Sequence, residues 1–114
     1  MGRSEGYILM TKRQQRMLRE LAALAHERAL GSALKSLREE FERWERQEID
    51  AFQLNDRIHE FHNRTGRKIY LFHVGTDPQL VVARAIVDKI LTREEVGDEL
   101  MGELDRTIET FRAL

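Results

Sequence analysis

The segment LNDRIHEFHNRTG, Leu54 to Gly66, gathers an amide, a carboxylate, a guanidinium and two imidazoles within a few helical turns. Metal ligation is the first chemistry to test. Asp56 stands three residues before His59, and His62 three after it, so on a helix all three can share a face. Helical bundles that hold two metal ions use a carboxylate-x-x-His unit twice, with two further carboxylates. Here the unit occurs once, because Ala23 and Tyr70 stand three places before the other histidines, His26 and His73. A second copy would have to come from the symmetry of a homodimer. The HExxH signature is also missing, since His59-Glu60-Phe61-His62 is one residue short. No cofactor is expected.

Projected at about 100° per residue, the segment divides into sides. Ala51, Leu54, Ile58 and Phe61 form an apolar arc, and Gln53, Asp56, Arg57 and Glu60 take the outer side. Asn55, His59 and His62 lie beside the arc. Polar groups so placed are expected to be hydrogen-bonded, which makes these three a structural network or a polar spot in an interface. Arg57 and His62 fall about 140° apart, on different sides of the helix.

Arg57 and His62, with four residues between them, also fit the arginine–histidine spacing of HEPN-type ribonucleases, and the segment resembles that motif. The resemblance implies a small all-helical dimer whose Arg and His meet across the interface and cleave RNA without metal. His62 would then serve as acid or base, and Arg57 would stabilise the phosphate charge. This is the alternative reading of function.

These residues need a scaffold, and the totals constrain it. The chain has 114 residues, 41% of them hydrophobic, a size that suits one domain, expected over 1–114, with one core. Nineteen basic and 20 acidic residues leave a net charge of −1, so no global charge points to nucleic acid. The absence of cysteine excludes disulfides and thiolate chemistry. Apolar runs such as Tyr7 to Met10 are too short to span a bilayer, and no signal-peptide pattern opens the chain, so a cytoplasmic location is expected. Glycine-rich phosphate loops are missing. The three serines have no histidine placed to activate them. Charge is uneven along the chain. Met1 to Arg38 carries eight basic and three acidic residues, Glu94 to Leu114 seven acidic and two basic, so the ends are expected to face each other.

The pattern predicts an all-α bundle of four or five helices, with at most a minor two-stranded β element. A leader over 1–10 precedes Thr11, which with Gln14 forms a capping box for a helical stretch over 11–46. As one straight helix this would run about 54 Å, longer than the roughly 35 Å breadth of a compact domain of this length. Met17, Leu18, Leu21, Leu24 and Ala25 form one stripe. Leu30, Leu34, Leu37, Phe41 and Trp44 form another, nearly opposite, in alternating steps of four and three. The phase changes at Gly31-Ser32. Either the helix kinks there with Ser32 as a cap, or it runs through and offers its second stripe to another subunit.

Asp50 caps a helix over 50–64 that Thr65-Gly66 is expected to end, with the glycine left-handed. Residues 67–74, KIYLFHV with Arg67, suit a short buried helix, or a strand paired with GYILM near the start. Asp77-Pro78 opens a helix over 77–91 with Leu80, Ala83, Val87 and Ile90 inward. Thr92 and Glu95 box the start of a last helix over 93–112, with Val96, Leu100, Leu104, Ile108 and Phe111 as its stripe. Its acidic surface, REEVGDELMGELD, would be repelled by DNA. The basic TKRQQRMLRE could touch RNA, but suits a solvated helix face. The functional expectation is therefore a non-enzymatic interaction or regulatory module. It binds itself as a homodimer through Leu30, Leu34, Leu37, Phe41 and Trp44, or binds another protein, and no membrane.

Overall fold

The computed structural model describes residues 10–113, and among them the protein is all-α, with no strand. Helix α1 (Lys12–Glu45) is continuous. Thr11 opens it: its Oγ1 accepts from the Gln14 amide at 3.0 Å, while Gln14 Oε1 accepts from the Thr11 amide at 2.9 Å. Gly31 neither breaks nor caps α1, and a Cβ there would meet nothing within 4 Å. One interior glycine costs only about 1 kcal/mol, and 34 residues of propagation outweigh it. The helix ends where Gln47 turns left-handed, at φ 63°. There the Glu48 amide donates to the Arg43 carbonyl and the Gln47 amide to that of Trp44, the paired bonds of a Schellman motif.

Asp50 caps α2 (Ala51–Glu60) in a reciprocal box with Gln53. The expected stop at Thr65-Gly66 is not used. A π-helical turn, Phe61–Gly66, carries the chain straight into α3 (Arg67–Gly75), and Gly66 is not left-handed. The helical alternative therefore holds for 67–74, although α3 buries no side chain. Of the strand's expected partner GYILM, residues 6–9, like residues 1–9 of the leader, lie outside the described residues.

Asp77 accepts from the Gln79 amide at 2.9 Å and Pro78 takes the first position of α4 (Pro78–Val87). This helix stops short of residue 91 because Lys89 goes left-handed, at φ 63°. The Ile90 amide reaches the Ala85 carbonyl at 2.8 Å and the Lys89 amide that of Ile86 at 3.1 Å, a second Schellman end. Thr92 and Glu95 box α5 (Arg93–Val96) as expected. The last helix is then split: Gly97, at φ 89°, separates α5 from α6 (Asp98–Ala113).

The chain packs as two compact units, one made of residues up to Ala25 together with Thr76 onward, the other of His26–Gly75. The first holds the core. Helices α4 and α6 pack closely on each other. Val81, Val82, Ala85 and Ile86 are buried on α4, and Leu100, Leu104 and Ile108 on α6. The face expected of α4 needs correction, since Ala83 is buried but Leu80 is exposed. Its sequence, PQLVVARAIV, is apolar on most sides, so spacing alone does not set the phase. Of the stripe read for the last helix, Val96, Leu100, Leu104 and Ile108 are buried and Phe111 is half-buried; of the first stripe of α1, Leu18 and Ala25 are buried and Met17, Leu21 and Leu24 half-buried. The opposed charges of the two ends meet within this unit: Arg13 Nη1 lies 2.9 Å from Glu99 Oε1, and Gln14 Nε2 donates to the same carboxylate. Among the described residues no helix is long and apolar enough to cross a membrane.

The second unit is thin. Its described residues bury only Ile49 and Leu54 among their apolar side chains. A bridge between α1 and α2 comes from Glu40, whose Oε1 lies 3.2 Å from Arg57 Nε and 3.3 Å from Arg43 Nη1.

Candidate functional site

The expected seam is placed by a helix that has little to pack against. Leu54 is buried, but Ala51 and Ile58 of the same arc stay exposed, and Phe61 is half-buried. Asn55, His59 and His62 therefore face solvent, and among the described residues their side chains make no hydrogen bond. Asp56 is exposed as well. No three His, Cys, Asp or Glu side chains among the described residues come together to hold a metal ion, so Asp56, His59 and His62 form no ligand set within one chain. Arg57 and His62 diverge too. Arg57 is held by Glu40, whereas His62 opens onto a groove that Arg57 does not line.

That groove lies within the 26–75 unit, is open on one side and has a volume of about 460 Å³. Helix α1 contributes His26 and Leu30, one turn apart and so on one face. The π-helical turn contributes Phe61, His62 and Asn63, and α3 adds Arg67 and Tyr70.

The local sequence explains the turn. Asn63, Thr65 and Gly66 are weak helix formers, so the ladder loosens where it was expected to stop. Gly66 then lies close against Phe61. A Cβ at position 66 would come 3.3 Å from the Phe61 carbonyl oxygen and 3.4 Å from its ring. The bare glycine lets that ring settle beside the backbone and form part of the groove wall.

Behind the groove, His26 stacks on His73 with ring centroids 4.7 Å apart and planes 7° from parallel. His73 Nδ1 lies 2.8 Å from the Ile69 carbonyl. A carbonyl only accepts, so Nδ1 carries the proton and donates it. This fixes the His73 ring and gives His26 a flat, rigid backing.

Sequence spacing finds His62 but not its neighbours. His26, Arg67 and Tyr70 lie on other helices, and no periodicity connects α1 to α3. The one local sign was the weak helix formers before Gly66. The second stripe of α1 is also placed plainly: Leu34, Phe41 and Trp44 are 46%, 39% and 42% exposed, and Leu30 and Leu37 are half-buried. Comparison of the chain with protein-family models, with characterised proteins and with solved structures finds no match.

Proposed function

We propose that this protein is a non-enzymatic helical interaction module that works as a homodimer, pairing two copies through the Leu30, Leu34, Leu37, Phe41 and Trp44 face of α1. The observation that carries this reading is the imbalance between the units. Nine large apolar side chains are exposed among the described residues, and eight of them lie in 26–75. That unit buries two apolar residues. Helices with so little core gain little from burial to set against the entropy of ordering their chain. Covering the exposed face adds to that core.

A second copy suits this face for a geometric reason. Steps of four and three residues, repeated from Leu30 to Trp44, are the a and d spacing along which two helices interlock knobs into holes. In a two-fold dimer the same patch serves on both chains, so one self-complementary stripe is enough. Continuity of α1 through Gly31 keeps the stripe on one rigid helix.

Sedimentation velocity on the full chain tests the proposal. The expected result is a particle of two 13.4 kDa chains at micromolar concentration. A single-chain mass that persists to about 100 µM, a concentration at which even a dimer with a free energy of only about −6 kcal/mol would be substantially formed, would overturn it.

A further inference from the structure

We infer that the groove beside the π-helical turn binds a nucleoside phosphate, with the phosphoryl group at Arg67 and the base against Tyr70 and Phe61. Its volume, about 460 Å³, lies in the range of small-molecule sites, roughly 300–1,000 Å³. The lining combines two chemistries. None of the eight lining residues is acidic, while His26, His62, Asn63 and Arg67 all present N–H donors. Leu30, Phe61 and Tyr70 supply apolar and aromatic surface. An anion without a ring would leave those walls wet, and an apolar ligand would strip water from Arg67 without replacing its hydrogen bonds. A ligand that joins an aromatic ring to a phosphoryl group matches both.

Arg67 is the residue that distinguishes an anion site from a solvated surface. In the same unit Arg43, Arg46, Arg57 and Arg64 each have a carboxylate within 4 Å, while Arg38 has none among the described residues but does not line the groove. Arg67 has none among the described residues, and it lies on the groove. A guanidinium fork without a carboxylate partner is suited to two parallel hydrogen bonds with a phosphoryl group. Tyr70, one turn further along α3, is 56% exposed and offers a ring for stacking. The π-helical turn is an independent sign, because such insertions recur at functional sites. It contributes four of the eight lining residues. A free nucleotide and a base of single-stranded RNA share this chemistry. The inference does not rest on the dimer, since Leu30 alone belongs to both the groove and the proposed dimer face.

Isothermal titration calorimetry of the full chain with adenosine 5′-monophosphate, adenosine and inorganic phosphate tests the inference, with a short oligoadenylate as a further arm. The monophosphate is expected to bind, and adenosine or phosphate alone to bind at least about tenfold more weakly, since each meets half of the site. Arg67→Gln and Tyr70→Ala are each expected to weaken monophosphate binding by about tenfold. Both positions are exposed, so far-UV circular dichroism should remain that of the wild type. An oligoadenylate that binds more than about tenfold tighter than the monophosphate identifies RNA as the source of the ligand, and equal affinity identifies the free nucleotide. No heat at millimolar monophosphate, or Arg67→Gln and Tyr70→Ala chains that bind as the wild type does, would overturn the assignment.

Discussion

Replacing both Phe41 and Trp44 by serine removes two apolar knobs from the exposed face of α1 without opening the core. Within one chain these side chains are 39% and 42% exposed, so about two-fifths of each remains for a partner to cover. Full burial of a large apolar side chain contributes about 1.5–3 kcal/mol, and that fraction leaves about 0.6–1.2 kcal/mol apiece. A dimer contains four such side chains, for a total of about 2.4–4.8 kcal/mol. The dissociation constant should therefore rise by roughly 50- to 3,000-fold. Sedimentation velocity over a dilution series measures this directly. Far-UV circular dichroism should change little, because α1 keeps its hydrogen bonds. Leu80→Ser is the matched control: Leu80 is 41% exposed but belongs to the other unit, and its replacement should leave the dimer intact. A double variant that dimerises as tightly as the wild type would refute the reasoning, as would a Leu80→Ser chain that falls apart equally.

Three further outcomes are expected. Leu104 is fully buried on α6, so Leu104→Ala should cost about 2–5 kcal/mol in urea denaturation, and a loss below about 1 kcal/mol would mean that the α4–α6 core is not as packed. Lys89→Gly should stabilise the chain by about 0.5–1 kcal/mol. It relieves a left-handed residue that costs about 1–2 kcal/mol, partly offset by glycine's freedom in the unfolded state, and a lower thermal midpoint would count against this. Hydrogen bonding from Arg13, aided by the charge of Arg13 and a bond from Gln14, holds the Glu99 carboxyl below its ordinary value near 4.5. Its contribution to stability is thus complete above pH 4.5 and is lost as the pH falls through the lowered value in the folded chain. Glu99→Gln should flatten that part of the acid-denaturation profile, and an unchanged profile would show that the ion pair is not formed.

Much of the helical layout is legible one residue at a time. Thr11 with Gln14, Asp50, Asp77 with Pro78, and Thr92 with Glu95 start helices where their side chains can cap them. Helix ends were harder to read. The chain reverses at Gln47 and Lys89, which carry no left-handed signature in their side chains, and runs on through Gly66, which does. Packing made the difference. A left-handed residue is tolerated where two Schellman bonds close the end, and a glycine need not stop a helix that can loosen into a π turn.

The candidate sites separate along the same line. Sequence by itself determined the all-α class, the cap positions, the stripe of the last helix and the second stripe of α1, because each depends on neighbours within a few residues. Tertiary structure alone decided which stripes are covered. Burial depends on an opposing surface: α4 and α6 supply one for each other, while the 26–75 unit supplies almost none for Leu34, Phe41 and Trp44. It also decided that His62 keeps company with His26, Arg67 and Tyr70 and not with Arg57. Those partners come from separate helices, and only a folded chain can set them around one groove.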